Sequence, residues 1–439
     1  MQQYTAYGVR IMAESAKPIQ AMVRIYRAAV SFLIQVSMDH WEAIEAIKGL
    51  QEQQTYVERL IHHTKNRPAV AYENFDTTFY KLPSYMRRAA ISEAIGKVIS
   101  YSSNLKRWQK QGNGKAPGKP EAGYTYPVLY QDNMFEQTGE YTARIKVWIR
   151  NTWEWMEVRF RKSDAEYIRR HCSERARFSP TVIQKGKRWF LQFPFCEIVT
   201  LNKKTLIEQT VLAVDLGINN ACACAVMKAD GTVLGREMFR MPGEEDCLKH
   251  RLNKVRKEMK QGHYHTPALW ATITNVNREI AVGTARFIVE TAEKYKADMI
   301  VFEQLDTGGK KIGKSRRQRL HMWKCRDIQG MVACKAHRMG IRVTHVCAWN
   351  TSRLAYDGSG EVERGVNNNY SICRFSTGKI YNCDLNASYN IGARYFIREI
   401  LKTLPETVRL GIPAKVPECT RRSTCTLSTL RNLNAVLAA

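Results

Sequence analysis

The stretch CysAspLeuAsnAlaSerTyrAsnIleGly (Cys383–Gly392) carries the reading from which the rest of the chain follows. Its apolar residues recur at helical spacing from about Leu385 to Leu401, so Asp384 stands at the start of a helix. Upstream of it lies a polar, irregular segment, Asn350–Asn382. Further upstream, AspMetIleValPheGluGln (Asp298–Gln304) reads as a buried strand with an acid, Glu303, at its end. ValLeuAlaValAsp (Val211–Asp215) is a second such strand, ending on Asp215.

The elements between these acids order themselves. AlaCysAlaCysAlaValMet (Ala221–Met227) and, after an AlaAspGly turn, ThrValLeuGlyArgGluMetPhe (Thr232–Phe239) complete an antiparallel meander with the first strand. Helical patterns follow over about Glu244–Lys260, Thr272–Tyr295 and His321–Met339, with a strand at Ile341–Val346. Strand–Asp, meander, strand–Glu and Asp–helix together form the ribonuclease H-like layout.

An unpaired carboxylate inside a strand buried on both faces is costly, so acids at these positions are expected to be used. Three of them from separate elements would suit Mg²⁺ or Mn²⁺, which take oxygen ligands. A pair of such ions ~3.5–4 Å apart serves phosphodiester hydrolysis by activating water and stabilising the leaving oxygen. Each acid alone also has a local role to compete with this. Asp215 could cap the turn LeuGlyIleAsnAsn, Glu303 could pair with a Lys, and Asp384 could be the N-cap of its helix.

ValAspLeuGlyIleAsnAsn (Val214–Asn220), PheGluGlnLeu (Phe302–Leu305) and CysAspLeuAsnAlaSerTyrAsnIleGly resemble the three RuvC motifs of TnpB, an RNA-guided nuclease of bacterial insertion sequences, and of the miniature type V CRISPR effectors. The third motif is the most specific. The resemblance implies a multidomain α+β chain with a helical recognition lobe, a β-barrel-like wedge domain, and a C-terminal ribonuclease H-like α/β RuvC nuclease domain with a zinc-ribbon-like insertion. It implies that Asp215, Glu303 and Asp384 are the catalytic, metal-binding acids, that the cofactors are two Mg²⁺ (or Mn²⁺) ions and a guide RNA, and that the substrate is target DNA. The expected boundaries are 1–15 (first wedge strand), 16–123 (recognition lobe ending in a basic linker), 124–206 (wedge), 207–349 (RuvC), 350–382 (target-nucleic-acid-binding insertion), 383–412 (RuvC helix) and 413–439 (tail). Pairing of two copies on one guide is left open, as is transposon or CRISPR association. A bacterial cytoplasmic protein, nucleoid-associated when bound to DNA, is expected.

One departure from the family is evident. Where a four-cysteine zinc ribbon would place its ligands, this chain has Ala355, Gly358, Cys373 and Ser376. Only Cys373 remains of the four, so the insertion is expected to keep its place without zinc. Cys222 and Cys224 fall on one face of a strand and read as core residues.

Charge supports the same partners. The 439 residues carry 68 Lys and Arg against 41 Asp and Glu, a net charge of +27, which points to a polyanion. No uninterrupted run of ~18 apolar residues and no basic amphipathic helix is read, so nucleic acid is favoured over a membrane. Twelve scattered cysteines and the absence of a signal-peptide layout in Met1–Arg10 fit reduced thiols in an intracellular protein. GlyGlyLysLysIleGlyLysSerArgArgGlnArg (Gly308–Arg319) follows Glu303 and holds Lys310, Lys311, Lys314, Arg316, Arg317 and Arg319, a cationic loop suited to guiding a DNA strand.

The first 200 residues divide in two. Ile19, Val23, Tyr26, Val30, Leu33 and Ile34 mark an amphipathic helix within a helical region over about Ala16–His63, and the pattern resumes at Met86–Trp108. It stops at the Gly/Pro/Lys run Gln111–Pro120. Residues Tyr124–Thr200 then read as strands, with Ile145, Val147 and Ile149 on one face of Arg144–Ile149 and Arg144, Lys146 and Trp148 on the other. That basic, aromatic face, with Arg150 beside it, is expected to hold RNA, against the alternative that the tryptophans are core. Two other functions compete: a guided DNA-binding repressor without cleavage, and an actin-like-fold phosphotransferase, disfavoured by the lack of further Gly-rich phosphate loops.

Overall fold

The computed structural model describes residues 1–112, 114–217, 221–305, 322–366 and 369–439. The chain forms two compact units, Gln2–Ile198 and Met1 with Val199–Ala439.

In the first unit the strands β1 (Gln2–Met12), β2 (Phe135–Gln137), β3 (Thr142–Ile149), β4 (Thr152–Phe160), β5 (Ala176–Arg177), β6 (Thr181–Lys185) and β7 (Arg188–Ile198) make one antiparallel sheet in the order β2-β3-β4-β1-β7-β5, with β6 also on β7. β1 is the hinge of this sheet. Gln2–Arg10 pair with β7, and Ile11 and Met12 pass to β4. Alternation dictates the inner face: Ala143, Ile145 and Val147 are buried on β3, as are Trp189, Leu191, Phe193 and Phe195 on β7.

All the helices of Lys17–Gln111 are inserted between β1 and β2. Helix Lys17–Asp39 buries Ile19, Met22, Val23, Tyr26, Val30 and Leu33 against Ser84–Gln111. It is long and apolar enough to cross a membrane by length and composition, although Arg24 and Arg27 interrupt its apolar run. Half of the apolar window is nonetheless buried, and the stripe at i, i+3, i+4 faces a protein core. Helix Ser84–Gln111 stops where Gly112 turns left-handed (φ 64°) and its N–H closes onto the Trp108 carbonyl at 3.0 Å.

In the second unit β8 (Val211–Asp215), β9 (Cys222–Met227), β10 (Val233–Phe239), β11 (Met299–Gln304) and β12 (Arg342–Cys347) are ordered β10-β9-β8-β11-β12. The first three form the expected antiparallel meander, and β8, β11 and β12 are parallel. Both faces are covered, which is why β9 is buried at every residue. Leu212, Val214, Cys222, Cys224, Ile300 and Phe302 pack with helices Pro267–Lys294 and Cys325–Arg338. Val211, Ala213, Ala225, Met227, Met299 and Val301 pack with helix Cys383–Thr403 on the other side.

That last helix lies close to the sheet. A Cβ on Gly392 would meet Met227 Sδ at 2.6 Å and Ala213 Cβ at 3.2 Å, so the glycine of the motif is a packing requirement. The segment read as a tail is structured: Leu427–Ala438 is a helix with a Thr426/Thr429 capping box, and its Leu427, Leu430 and Leu433 join the core formed with Tyr389, Ile391 and Phe396. The insertion before Cys383 contains a small antiparallel sheet of β13 (Glu363–Arg364), β14 (Ile372–Arg374) and β15 (Ile380–Asn382).

Candidate functional site

The two strand acids share a face for a reason visible in the register. β8 and β11 pair in parallel from Val211↔Met299 to Val214↔Phe302, and one further step sets Asp215 beside Glu303. Side chains alternate along a strand, so Asp215 continues the Val211 and Ala213 face and Glu303 continues the Met299 and Val301 face. Both therefore look to the side covered by helix Cys383–Thr403. Asp384 is in the first turn of that helix.

Asp384 is not the cap. Asn382 is the N-cap, its side-chain oxygen accepting from the N–H groups of Asp384 (2.9 Å) and Leu385 (3.0 Å). The acid sits at the positive end of the helix dipole.

Asp215 is pushed well above the usual carboxylate range, by removal from water first and then by the charges of Glu303 and Asp384, with Arg364 opposing. Burial raises Glu303 as well, against the Thr351 hydroxyl bonded to its carboxyl and the nearby Arg394 charge. Among the described residues no group of three or more His, Cys, Asp or Glu side chains is drawn together closely enough to hold a metal ion. The donor set itself, oxygen atoms on three acids at one sheet edge, is of the kind that hard divalent cations take.

A polar frame missed by sequence reasoning surrounds Glu303. Gln329 Nε2 donates to its backbone carbonyl at 3.1 Å. Asn390 Nδ2 donates to the carbonyls of Thr351 and Leu354, both at 2.9 Å, while its oxygen accepts from the Leu427 N–H at 3.3 Å. Asn386 holds the Leu354 carbonyl and the Tyr356 N–H, at 2.9 and 2.8 Å. Arg394, 4% exposed, donates to the carbonyls of Cys347, Trp349, Ser423 and Cys425. Asn386 and Asn390 were visible in the motif as polar residues on a buried helix face; Arg394 gave no signal.

At the zinc-ribbon positions, two of the four residues are in an apolar cluster and two are in turns. Ala355 and Cys373 pack with Phe375 and Cys383 in a small buried cluster, flanked by Tyr356, Val362 and Tyr381. Gly358 is left-handed (φ 82°) and lies against Ser428, and the Ser376 hydroxyl donates to the Ser359 carbonyl at 2.5 Å.

Other predicted residues fall elsewhere. Lys310, Lys311, Lys314, Arg316, Arg317 and Arg319 lie outside the described residues, as do Ile218, Asn219 and Asn220 of the first motif. In the first unit, Arg144 and Lys146 stand 5.2 and 5.4 Å from the Trp155 ring, and Trp148 meets Trp153 edge-on at 5.3 Å. These three cross-strand pairs, Arg144↔Glu157, Lys146↔Trp155 and Trp148↔Trp153, form one half-buried face. Arg144 also pairs with Glu136 at 2.7 Å, and Arg150 is in the left-handed turn (φ 47°) that ends β3.

A family model described as the Aq_aa04 family matches residues 5–149. TnpB-like protein aq_aa05 of Aquifex aeolicus (strain VF5) is 23% identical over 234 residues, 48% of this chain and 76% of that protein. Uncharacterized protein aq_aa04 of the same organism is 42% identical over 50 residues, 11% of this chain and 28% of that protein. Among solved structures, the protein chain of a Cas12f1–sgRNA–target DNA complex superposes with a TM-score of 0.54 at 14% identity, covering 84% of this chain and 81% of that one. The likeness to TnpB-like proteins read from the three motifs is thus present in the wider sequence, and the fold is shared with the protein chain of the Cas12f1 complex.

Proposed function

We propose that this protein is an RNA-guided DNA endonuclease that hydrolyses phosphodiester bonds of target DNA, with Asp215, Glu303 and Asp384 as the catalytic acids holding two Mg²⁺ or Mn²⁺ ions. The observation that carries the reading is the placement of the three acids: strand register sets Asp215 beside Glu303 on the face that helix Cys383–Thr403 covers, and Asp384 is in the first turn of that helix. A relative named TnpB-like, a fold shared with a chain solved together with sgRNA and target DNA, and a net charge of +27 support guide RNA and DNA as partners.

Divalent cations in such a site supply a Lewis acid for the phosphoryl oxygen and a lowered pKa for attacking water. The protein's part is positional. Asp215 and Glu303 are set side by side by strand register, Asp384 is presented at a helix N-terminus that Asn382 caps, and Thr351 fixes the Glu303 carboxyl. Target selection is left to base pairing with the guide. The face of Arg144, Lys146 and Trp155, with Arg150, is the proposed RNA contact of the first unit, and the cationic 308–319 segment the proposed DNA contact beside Glu303. The insertion would work without zinc, its apolar cluster standing where the ligands would be. Action would be in the bacterial cytoplasm, on nucleoid DNA.

The test is Asp215→Ala in a guide-loaded complex with target plasmid and Mg²⁺. Cleavage should vanish while guide-dependent DNA binding persists; equal cutting by both proteins, or by neither, overturns the nuclease reading. Cutting by neither, with guided binding intact, would leave a DNA-binding repressor.

A further inference from the structure

The second unit has a cleft of about 910 Å³ at the ends of β11 and β12, bordered by Gln304 and Leu305, which directly follow Glu303. Its charged wall is basic: Arg398, Lys402, Arg409 and Arg422 line it, and no Asp or Glu among the described residues does. Two acids stand just behind. Glu399 pairs with Arg398 (2.7 Å) and Lys402 (3.0 Å), and Glu406 with Arg409 (3.7 Å). Four cations against two acids leave the wall positive, before the buried Arg394 is counted.

An indole stands at the rim. Trp349 is 63% exposed, large for an aromatic ring, yet its backbone is pinned. Arg394 Nη1 donates to the carbonyls of Cys347 (2.7 Å) and Trp349 (2.8 Å), and the next residue, Asn350, turns left-handed at φ 66°. An aromatic displayed on a fixed turn loses little conformational freedom when a flat partner stacks on it. Cations that track a phosphate chain, next to an exposed ring, are the two parts of a single-strand binding site. A duplex keeps its base faces stacked and offers the ring nothing equivalent.

We infer that this cleft binds a single-stranded segment of DNA, with Trp349 stacked on a base and Lys402 and Arg422 on phosphates. That the strand is DNA rests on the nuclease reading above; the stacking and phosphate contacts rest on the cleft. A strand held here would pass the residues that follow Glu303 on its way to or from the acids.

The experiment uses the full chain without divalent metal, so that no cleavage enters the result. A fluorescent dT10 carrying 5-iodouracil is titrated by anisotropy and then photocross-linked, with the modified peptide mapped by mass spectrometry. Cross-links at Trp349 are expected, together with affinity about tenfold weaker in Trp349→Ala and nearly unchanged in Trp349→Phe. Lys402→Ala/Arg422→Ala should flatten the dependence of log affinity on log salt by about 0.7 for each phosphate no longer neutralised. Cross-links confined to other peptides, with unchanged affinity in Trp349→Ala, overturn the site. Tighter binding of rU10 than dT10 overturns its assignment to DNA. Binding and cross-linking are read without metal or cleavage, so a failed cleavage assay and a failed cleft remain separate results.

Discussion

Asn390 donates to the Thr351 carbonyl at 2.9 Å, and the Thr351 hydroxyl in turn meets the Glu303 carboxyl. A motif residue two turns into the helix therefore holds the residue that holds a proposed catalytic acid. Asn390 is fully buried and also serves the Leu354 carbonyl and the Leu427 N–H. Asn390→Ala would strand these groups, at about 1–3 kcal/mol for each one left unsatisfied. A clear fall in melting temperature is expected, with cleavage reduced beyond what the weaker fold explains. A variant that melts and cuts like wild type would remove the asparagine from the frame.

Thr351 allows a gentler test. Thr351→Ser keeps the hydroxyl and Thr351→Val keeps the shape, so the pair isolates the hydrogen bond to Glu303. We expect the valine variant to cleave target DNA about 10–100-fold more slowly, as when a supporting partner of a metal-binding acid is removed, and the serine variant to stay near wild type. Turnover is the readout, with guide and target binding as controls. Equal rates in all three would show that Glu303 needs no such support.

Gly392 probes the closeness of helix to sheet. Gly392→Ala places a methyl 2.6 Å from Met227 Sδ, and overpacking of this kind costs about 1–3 kcal/mol. Met227→Ala in the same chain should return part of that stability, since the sulfur is the nearest obstacle. Denaturation midpoints of the two single variants and the double variant test this: strictly additive effects would place the strain elsewhere.

The insertion should not depend on zinc. Its centre is formed by Ala355, Cys373, Phe375 and Cys383 rather than by four ligands. Protein purified without added zinc should contain none in stoichiometric amount, and a chelator should stop cleavage without lowering the melting temperature. One tightly held zinc per chain would refute this.

The cationic segment after Glu303 is a prediction from sequence, because Lys310–Arg319 lies outside the described residues. Replacing Lys310, Lys311, Arg316 and Arg317 with Ala should weaken cleavage and reduce the salt slope of DNA binding by roughly 0.7–0.9 for each phosphate left without its cation. Cleavage unchanged at raised salt would exclude a DNA-binding role there.

Much of the second unit was legible in the sequence because its signals are local. Apolar runs ending in Asp215 and Glu303, a turn between β9 and β10, and 3.6-residue spacing after Asp384 are properties of adjacent residues, and they fix the order of elements that sets the acids on one edge. The three motifs added, by resemblance, the chemistry proposed for that edge. Element ends were blurred, as with the helix that begins at Pro267 rather than Thr272. Leu427–Ala438 went unread because its role depends on a partner face, not on its own pattern.

What only the tertiary structure decided are the polar pairings across the chain. Asn390 reaches Thr351 over 39 residues and Arg394 reaches Cys347 over 47, and no local pattern encodes such partners. The sequence by itself determined that Asp215 and Glu303 each end an apolar strand and that Asp384 opens a helix, since those signals lie in adjacent residues, while the register that aligns the two strands is tertiary. How Glu303 is supported, why the motif ends in glycine, and what fills the place of zinc were decided in three dimensions. There a buried polar group must find its partner and a Cβ must find room.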